Sequence, residues 1–395
     1  MSEENDFIYL AEGIEKIIDY RGKTPKKLGG DWTEYGIRTI SAKNVHNGVL
    51  DNIDSIRCVS QDIYIKWMKE KIKRNDIFIA SEGASMGESL IWESDEQIVL
   101  GQRLFAVRAN TQVLNPFYLA MYMRTPEYRT ELLNHCTGTS VLGLSQPNLL
   151  KTRIRKIPLD LQNFIGEIYQ NICNKIAVNN AINRNLSEQA KILYKEWFID
   201  FGPFEGEMPG DWHLGTVEEI IELHDSKRKP LSGRQRDDME KIYPYYGATS
   251  IMDYVDNYIF DGIYLLLGED GSVIDTEGYP ILQYVFGKFW PNNHAHVITG
   301  KNGFSVEMLY LLFSLTNVQN IVTGAVQLKI SQQNLKTVEV VIPSYEAITE
   351  FDEMIQPIFR EIRRLRTENE KLTTLRDNLL PKLMSGELDV SNLDI

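Results

Sequence analysis

The chain has 395 residues, of which 43% are hydrophobic, and its formal net charge is −13. This composition excludes a disordered chain, and the length fits two globular domains better than one core. The charge argues against a protein that coats nucleic acid with a uniformly basic surface, because such binding depends on lysine and arginine at the contact. Binding through a local basic patch stays open.

The N-terminal sequence MSEENDF is acidic and lacks the basic and apolar regions of a signal peptide. No apolar run approaches the roughly 20 residues that a bilayer-spanning helix needs. The cysteines fit neither a disulfide framework nor a metal-binding pair, since they are three and widely spaced: Cys58, Cys136 and Cys173. We therefore expect a soluble cytoplasmic protein.

Residues 1–158, here called the first domain, combine strand-like and helical patterns. The run IFIA at 77–80 predicts a strand, and FYLAMYMRTPEYRTELL at 117–133 predicts helix. Strands and helices do not alternate regularly, so the pattern favours an α+β domain over a parallel α/β sheet.

Residues 159–200 predict one long helix. Its seam positions lie mostly three or four residues apart: Ile165, Ile168, Ile172, Ile176, Asn179, Ile182, Leu186, Leu193 and Trp197. At about 1.5 Å per residue such a helix could run roughly 50 Å. The sequence FGPFEGEMPGDW at 201–212 is rich in glycine, proline and acids, and it predicts a break after the helix.

Residues 201–343, the second domain, repeat features of the first. GTSVLGLSQPNLLKTRIRKIP at 138–158 resembles GAVQLKISQQNLKTVEVVIP at 324–343. Outside this motif, IEKIID at 14–19 resembles VEEIIE at 217–222, NDIFIAS at 75–81 resembles DGIYLLLG at 261–268, and NPFYLAMYM at 115–123 resembles SVEMLYLLFSL at 305–315. A second long helical stretch follows at 344–395. We infer a tandem duplication in which each domain precedes a long helix.

The second long helix has a similar seam, running through Phe351, Ile355, Ile358, Ile362, Leu365, Leu372, Leu375, Leu379 and Leu383. Asn369 falls in this seam, where a buried asparagine can fix the register of a coiled coil. Pro357 lacks an amide donor, so the helix is either kinked there or begins there. We predict that the two helices pair antiparallel and hold the two domains apart, although each could instead pack on its own domain.

With these motifs, the chain resembles the specificity (S) subunit of type I restriction-modification systems. The resemblance is carried by IEKIIDYRGKTPKK at 14–27, the two repeated motifs, LYKEWFIDFGPFEGEMPGDW at 193–212, and LTTLRDNLLPKLMSGELDV at 372–390. These segments occur in both halves of the chain, and their tandem order is as characteristic of the family as any single motif.

The resemblance implies that each globular part is a target recognition domain reading one half of a bipartite double-stranded DNA sequence. It implies that the helices set the gap and bind two modification subunits, which carry the adenine-N6 methyltransferase and S-adenosylmethionine. Restriction subunits, with an ATP- and Mg-dependent motor and nuclease, complete the complex. The resemblance thus assigns no catalysis and no cofactor to this chain.

The residues agree with that assignment. The sequence has no Gly-rich methyltransferase loop, no Asn/Asp-Pro-Pro-aromatic motif and no GxxxxGK[ST] phosphate loop. His294 and His296 could be two ligands on one strand face, but no third ligand is apparent, so we expect no metal. Asp275 and Glu277 are too isolated for a nuclease, and residues 268–272 are better interpreted as a loop near DNA.

We expect the repeated loops to position the DNA backbone and the divergent segments to read bases. The alternatives are that the loops only join helix to strand, that the basic clusters are solvated, and that the tyrosines are packed. The candidate DNA-binding residues of the first domain are Tyr20, Arg21, Lys23, Lys43, Asn44, Asn47, Ser81, Ser85, Thr139 and Ser140. Those of the second are Lys227, Arg228, Lys229, Arg234, Gln235, Arg236, Ser272, Asn292, Asn293, Gln327 and Lys329.

Two other hypotheses stay open from the sequence. A two-domain adaptor could use its coiled coil and globular ends to bind partners other than DNA. A relative of fused restriction-modification enzymes could retain catalysis, but the missing motifs weigh against it.

Overall fold

The structure is a computed structural model that describes residues 6–46, 48–138, 142–324 and 327–385. The strands of the first domain are β1 (Phe7–Tyr9), β2 (Ile14–Asp19), β3 (Ile37–Ile40), β4 (Val45–His46), β5 (Val49–Leu50), β6 (Arg57–Val59), β7 (Ile77–Ala80), β8 (Ser89–Ile91), β9 (Val99–Leu100), β10 (Leu104–Ala109) and β11 (Arg153–Arg155). Its helices, including the long one that follows, are α1 (Leu10–Gly13), α2 (Gln61–Trp67), α3 (Pro116–Tyr122), α4 (Pro126–Asn134), α5 (Gln146–Leu150) and α6 (Leu159–Phe198).

The second domain contains ten strands among its described residues: β12 (His213–Thr216), β13 (Ile221–Leu223), β14 (Tyr243–Tyr246), β15 (Ile251–Val255), β16 (Phe260–Gly268), β17 (Asp270–Gly271), β18 (Leu282–Pro291), β19 (Ala295–Gly300), β20 (Leu328–Lys329) and β21 (Glu339–Ile342). The remaining α-helices are α7 (Gly233–Asp237), α8 (Val306–Ser314), α9 (Gln332–Lys336), α10 (Tyr345–Thr374) and α11 (Leu380–Ser385), and a π-helical segment, Leu375–Leu379, joins the last two. Both domains therefore mix helices with largely antiparallel sheets, which confirms the α+β prediction.

The central sheets of the two domains share one strand order. The first domain has a four-stranded sheet β2-β10-β7-β8, and the second contains β13-β19-β16-β18 extended by β14 and β15. In each domain the opening strand pairs with the strand just before the long helix: β1 with β11, and β12 with β21. The helices α3 and α8 follow equivalent strands. The tandem duplication predicted from the sequence is thus present in the fold.

The central strand of each sheet is buried on both faces, which explains its unbroken apolar run. In β7, Ile77 and Ile79 pack in one core with α3, whereas Phe78 and Ala80 pack in a second core on the opposite face. The run LLL at 265–267 of β16 is divided between two cores in the same way. Because both faces of such a strand are covered, apolar residues do not alternate with polar ones along it.

The chain forms two compact units, residues 1–177 with 370–395, and residues 178–369. Both divisions fall inside a long helix. In the second unit, residues 178–198 of α6 pair antiparallel with α10: the rings of Phe198 and Phe351 lie 4.8 Å apart near one end, and Asn179 bonds Asn369 near the other. This confirms the antiparallel pairing of the helices predicted from their seams.

In the first unit, the beginning of α6 packs with the chain that follows α10. Ile165, Tyr169 and Ile172 are buried in the same core that Leu372 and Leu383 cover. Pro357 lies inside α10, which begins at Tyr345, so the helix neither starts nor stops at the proline. Its position away from the apolar seam lets the helix continue past one missing hydrogen bond.

Residues 201–212 end the first long helix and also contribute to the core of the second unit. Phe201 adopts a left-handed conformation with φ 54°, which stops the helix after Phe198. Phe204 and Trp212 then pack edge to face, with ring centroids 4.8 Å apart, and Trp212 also contacts Phe198. No helix among the described residues has the length and apolarity to cross a membrane.

Candidate nucleic-acid interface

The repeated motif forms the same short hairpin in both domains. Thr137 and Gly143 exchange two backbone hydrogen bonds of 2.9 Å, and Thr323 and Lys329 exchange bonds of 2.9 and 2.8 Å at the equivalent place. Between these pairs lie the predicted residues Thr139 and Ser140, which fall outside the described residues. Gln327 and Lys329 are described, and both are exposed. The base of the hairpin therefore lies at the same place in each domain.

A short helix follows each hairpin and is capped identically. Ser145 accepts a hydrogen bond from the amide of Asn148, and Ser331 accepts one from the amide of Asn334. The Asn148 side chain donates to the carbonyl of residue 135 at 2.9 Å, and the Asn334 side chain donates to that of residue 321 at 3.0 Å. The repeated Ser-Gln-x-Asn sequence is therefore a helix cap plus a strut across the base of the hairpin.

The hairpin is attached to the end of the central strand in both domains. The Leu144 amide donates to the Ser81 carbonyl at 2.7 Å, and the Ile330 amide donates to the Glu269 carbonyl at 2.9 Å. This pairing brings residues 81–85 beside the first hairpin and residues 269–272 beside the second. The sequence predicted both segments as candidates, but the pairing itself has no sequence signal because the paired residues are far apart in the chain.

In the first domain, Lys43 and Ser85 line one cleft with a volume of about 330 Å³. The cleft also contains residues that the sequence interpretation missed, namely Trp32, Thr39, Ser41, Ser55, Arg57, Trp67, Gln102 and Arg103. These residues come from several strands and loops with ordinary compositions. Only the fold reveals that they share a surface.

Other predicted residues of the first domain are bonded within the protein. Arg21 donates to the Asp19 carboxylate and to the Leu144 carbonyl at 3.1 Å, so it braces the hairpin. Lys23 donates to the Trp67 carbonyl at 3.0 Å and lies over the Tyr20 ring.

The predicted polar residues of this domain are mostly internal. Asn44 is fully buried, and its amide bonds the Asn52 carbonyl and the Ser55 hydroxyl, each at 3.1 Å. The Ser81 hydroxyl is buried without a hydrogen-bond partner among the described residues. Asn47 lies outside the described residues. Asn44 therefore supports the neighbouring turn from inside the fold.

A buried ionic network supports the hairpin of the second domain. Asp225 contacts His296 Nδ1 at 2.6 Å, and Gln332 at the start of α9 donates to the same carboxylate at 2.5 Å. Arg228 reaches Glu269 at 2.7 Å. Burial by itself would raise the pKa of Asp225, but the hydrogen bond from His296 and the nearby positive charge outweigh burial and lower that pKa.

The predicted residues Lys229, Asn293, Gln327 and Lys329 lie around this network. Arg228 also donates to the Ala295 carbonyl at 2.6 Å, and Lys329 pairs with Glu269 at 3.2 Å. The carbonyls of Lys229 and Asn293 accept bonds from Trp290 and Arg228, at 2.6 and 3.4 Å, so both side chains project from anchored backbone. Ser272 is exposed next to Gly271, which pairs with β20.

The remaining candidates form a second group or lie inside the domain. Arg234 and Gln235 are exposed on α7, whereas Arg236 is paired with Asp253 at 2.7 Å. Lys227 is exposed. Asn292 is buried, and it accepts a bond from the His294 amide at 2.8 Å, so it shapes a turn.

Asp225, Glu269 and His296 bring three possible metal-ligand atoms within 4.8 Å of one another. The guanidinium of Arg228 already contacts both carboxylates, at 2.7 Å to Glu269 and 3.4 Å to Asp225. His296 Nε2 faces the Ile330 carbonyl at 2.8 Å. The guanidinium of Arg228 thus occupies the position that a metal cation would take. The cluster of Asp225, Glu269 and His296 therefore supports the hairpin. His294 contacts Asp270 and not this group.

The chain is similar to known proteins in sequence, both to a family model and to individual relatives. Residues 209–375 match the family model described as type I restriction modification DNA specificity domain. A putative type I restriction enzyme specificity subunit from Haemophilus influenzae is 32% identical over 142 residues, which cover 36% of this chain and 36% of that protein. That match therefore spans about a third of the relative's length.

Two further comparisons cover most of the chain. The HindI specificity subunit of Haemophilus influenzae is 21% identical over 409 aligned positions, covering 81% of this chain and 88% of that subunit. The crystal structure of the type I S subunit from M. genitalium has a TM-score of 0.56 and 15% identity, and the match covers 95% of each chain. The fold is thus shared, and the resemblance to type I specificity subunits predicted from the motifs is confirmed.

Proposed function

We propose that this chain is the DNA specificity subunit of a type I restriction-modification complex, and that each domain reads one half of a bipartite target. The observation that carries the proposal is the duplicated hairpin and capped helix. The described residues of 137–149 and 323–335 make matching hydrogen bonds in the two domains, while the segments beside them differ in sequence. A support that is repeated in both domains, with neighbouring segments that differ, suits two modules that bind one polymer but read different bases.

The division of labour follows from the chemistry of the two parts. Backbone amides and small polar residues in the hairpins suit phosphate contacts, which fix position and carry no sequence information. Exposed Gln102 in the cleft of the first domain, and exposed Lys229 and Asn293 beside the second hairpin, can reach base edges. The target would then be read from loops that differ between the domains.

The chain in this proposal binds DNA and partners but performs no chemistry. Two modification subunits bind along the paired helices and supply the adenine-N6 methyltransferase with S-adenosylmethionine. Restriction subunits supply the ATP- and Mg-dependent motor and nuclease. The complex works in the cytoplasm, where the host DNA is.

The test is to express this chain with its modification subunit in a host that lacks methylation and to sequence the methylated adenines. The expected result is one motif of two short parts separated by a fixed gap. Variants should then act on one half only: removing the strut with Asn148→Ala should weaken recognition of the first part, and Asn334→Ala that of the second.

The two variants are each other's controls, because they delete equivalent hydrogen bonds in the two domains. A complex that is assembled and soluble but methylates nothing would contradict the proposal and favour the adaptor hypothesis. A single variant that altered both parts equally would contradict independent reading by the two domains.

A further inference from the structure

Arg57 is stacked on Trp32 at the cleft of the first domain. Its guanidinium carbon lies 3.8 Å from the centre of the indole ring, and both side chains line the cleft. The ring of Trp67 lies next to Trp32 with centroids 6.4 Å apart, so the arginine is supported by a packed aromatic pair. Stacking fixes the plane of a guanidinium while its in-plane N–H groups stay available to acceptors.

Arg57 differs from the other arginines that stack on rings. Five more do so among the described residues, and each also donates to a carboxylate or carbonyl: Arg21, Arg153, Arg155, Arg236 and Arg366. Within the same described ranges, no hydrogen bond or ion pair of the Arg57 side chain is found. Stacking therefore holds this exposed group in place, and its N–H donors are not used by the described residues.

The charged and polar residues around Arg57 indicate which kind of hydrogen-bond acceptor the cleft can bind. Lys43 and Arg103 add positive charge to the cleft, and its carboxylate, Glu82, is paired with Arg103 at 3.1 Å. Two further polar atoms of the wall, Thr39 Oγ1 and Trp67 Nε1, are buried without partners among the described residues. Such a site fits a planar ligand group that offers two adjacent hydrogen-bond acceptors and that has a negatively charged group next to it.

We infer that Arg57 reads a guanine of the first half-site by donating two hydrogen bonds to its O6 and N7 atoms. This edge matches the fork of an arginine and is exposed in the major groove. Lys43 and Arg103 contact the flanking phosphates, and Trp32 is a positioning residue that acts through Arg57. The inference rests on the proposed function and names one of its base-reading residues.

The test uses the complete complex with its modification subunit and the methylated motif as the readout. Arg57→Gln should relax one guanine position of the first part of the motif, with a discrimination loss of roughly 5- to 150-fold. Adenine should gain at that position, because glutamine pairs with adenine N6 and N7. Arg129→Gln, which removes an exposed arginine of α4 outside the cleft, is the matched control and should leave the motif unchanged.

Two experiments separate base reading from folding and from phosphate contact. Trp32→Ala should relax the same guanine position, whereas Trp32→Phe should restore it. With the unaltered protein, a DNA duplex carrying 7-deazaguanine at that position should bind more weakly than the normal duplex, because N7 is missing. This second experiment does not depend on whether a variant folds.

The outcomes distinguish the inference from the proposed function. If the unaltered chain yields a bipartite motif but Arg57→Gln lowers methylation uniformly without changing any position, Arg57 is a phosphate contact and the inference is wrong. Normal binding of the 7-deazaguanine duplex would also overturn it. If the unaltered chain yields no bipartite motif, the proposed function fails and the inference fails with it.

Discussion

Asn179 and Asn369 are hydrogen-bonded to each other across the two long helices, with 2.9 Å between Nδ2 of Asn179 and Oδ1 of Asn369. Asn179 is fully buried and also donates to Glu368 at 3.1 Å. Asn369 in turn donates to Asn180 at 2.9 Å. A shift of register would leave these amides facing apolar side chains, so the pair selects one alignment of the helices.

Replacing this pair should give non-additive changes in stability. Asn369→Leu leaves the buried Asn179 amide with one acceptor fewer, and we expect it to lower the free energy of unfolding by about 1–3 kcal/mol. Asn179→Leu removes a side chain whose Oδ1 already lacks a partner among the described residues, so it should cost less. The double variant should recover the loss, as measured by urea unfolding in a double-mutant cycle.

The same double variant tests the role of the pair in register. With two leucines the helices lose the polar contact that penalises a shifted alignment, so the gap of the methylated motif should become less uniform. Ile182, which the sequence pattern placed in the seam, is exposed on α6, so Ile182→Leu is the control and should preserve one gap. Strict additivity of the two single changes would show that the asparagines do not act as a pair.

A second prediction concerns stability at low pH through Glu70. Hydrogen bonds from Lys16 and Arg108 lower the pKa of Glu70 to about 2 from its ordinary 4.5. Because the folded-state pKa is the lower one, this stabilisation is present above about pH 4.5 and is lost as the pH falls towards 2. Glu70→Gln should therefore flatten the dependence of unfolding free energy on pH in that window, and an NMR titration of the carboxyl should locate its pKa directly.

The neighbouring Arg108 forms one ion pair at the surface and one in the interior, so the two can be compared. Its guanidinium bonds Glu70 at 2.8 Å and also the fully buried Asp76 at 2.8 Å. Arg108→Met leaves the Asp76 charge buried and unpaired, so we expect a loss of about 3–5 kcal/mol. Glu70→Gln should cost much less at neutral pH, and comparable losses for the two variants would contradict this assignment.

Sequence alone predicted the architecture because the duplication repeats local signals. Ser145 and Ser331 recur as helix caps, and the apolar seams with their asparagines recur in both long helices. The proline in α10 was harder to interpret, since Pro357 permits a kink, a start or an uninterrupted helix. The outcome depends on which face of the helix carries it, and packing decides this.

The candidate site was less predictable because it is built from distant segments. Lys43 was singled out, but its partners in the cleft, Arg57 and Arg103, belong to strands and loops whose spacing carries no periodic signal. Asn44, by contrast, has the chemistry of an adenine reader and is an internal strut. Composition identifies side chains that can bind bases, whereas burial decides which of them are free to do so.

The Asp225 network gives a prediction specific to the second domain. Asp225→Ala removes the acceptor shared by His296 and Gln332 and leaves Arg228 with less compensating charge, so we expect a loss of about 3–5 kcal/mol. The hairpin of the second domain should loosen, and the second part of the methylated motif should degrade first. Asp253→Ala, which breaks the partly exposed pairs with Arg236 and Lys241, is the control and should cost less, about 1 kcal/mol.

The last prediction concerns the gap between the two half-sites. If the paired helices set it, inserting four residues after Ala177 and four after Asn369 adds about one turn, roughly 6 Å, to both partners. Both insertions are needed because the helices pair antiparallel, and lengthening one alone would shift its seam against the other. The methylated motif should keep both parts and gain a longer gap, whereas altered half-sites with an unchanged gap would contradict the role of the helices as a spacer.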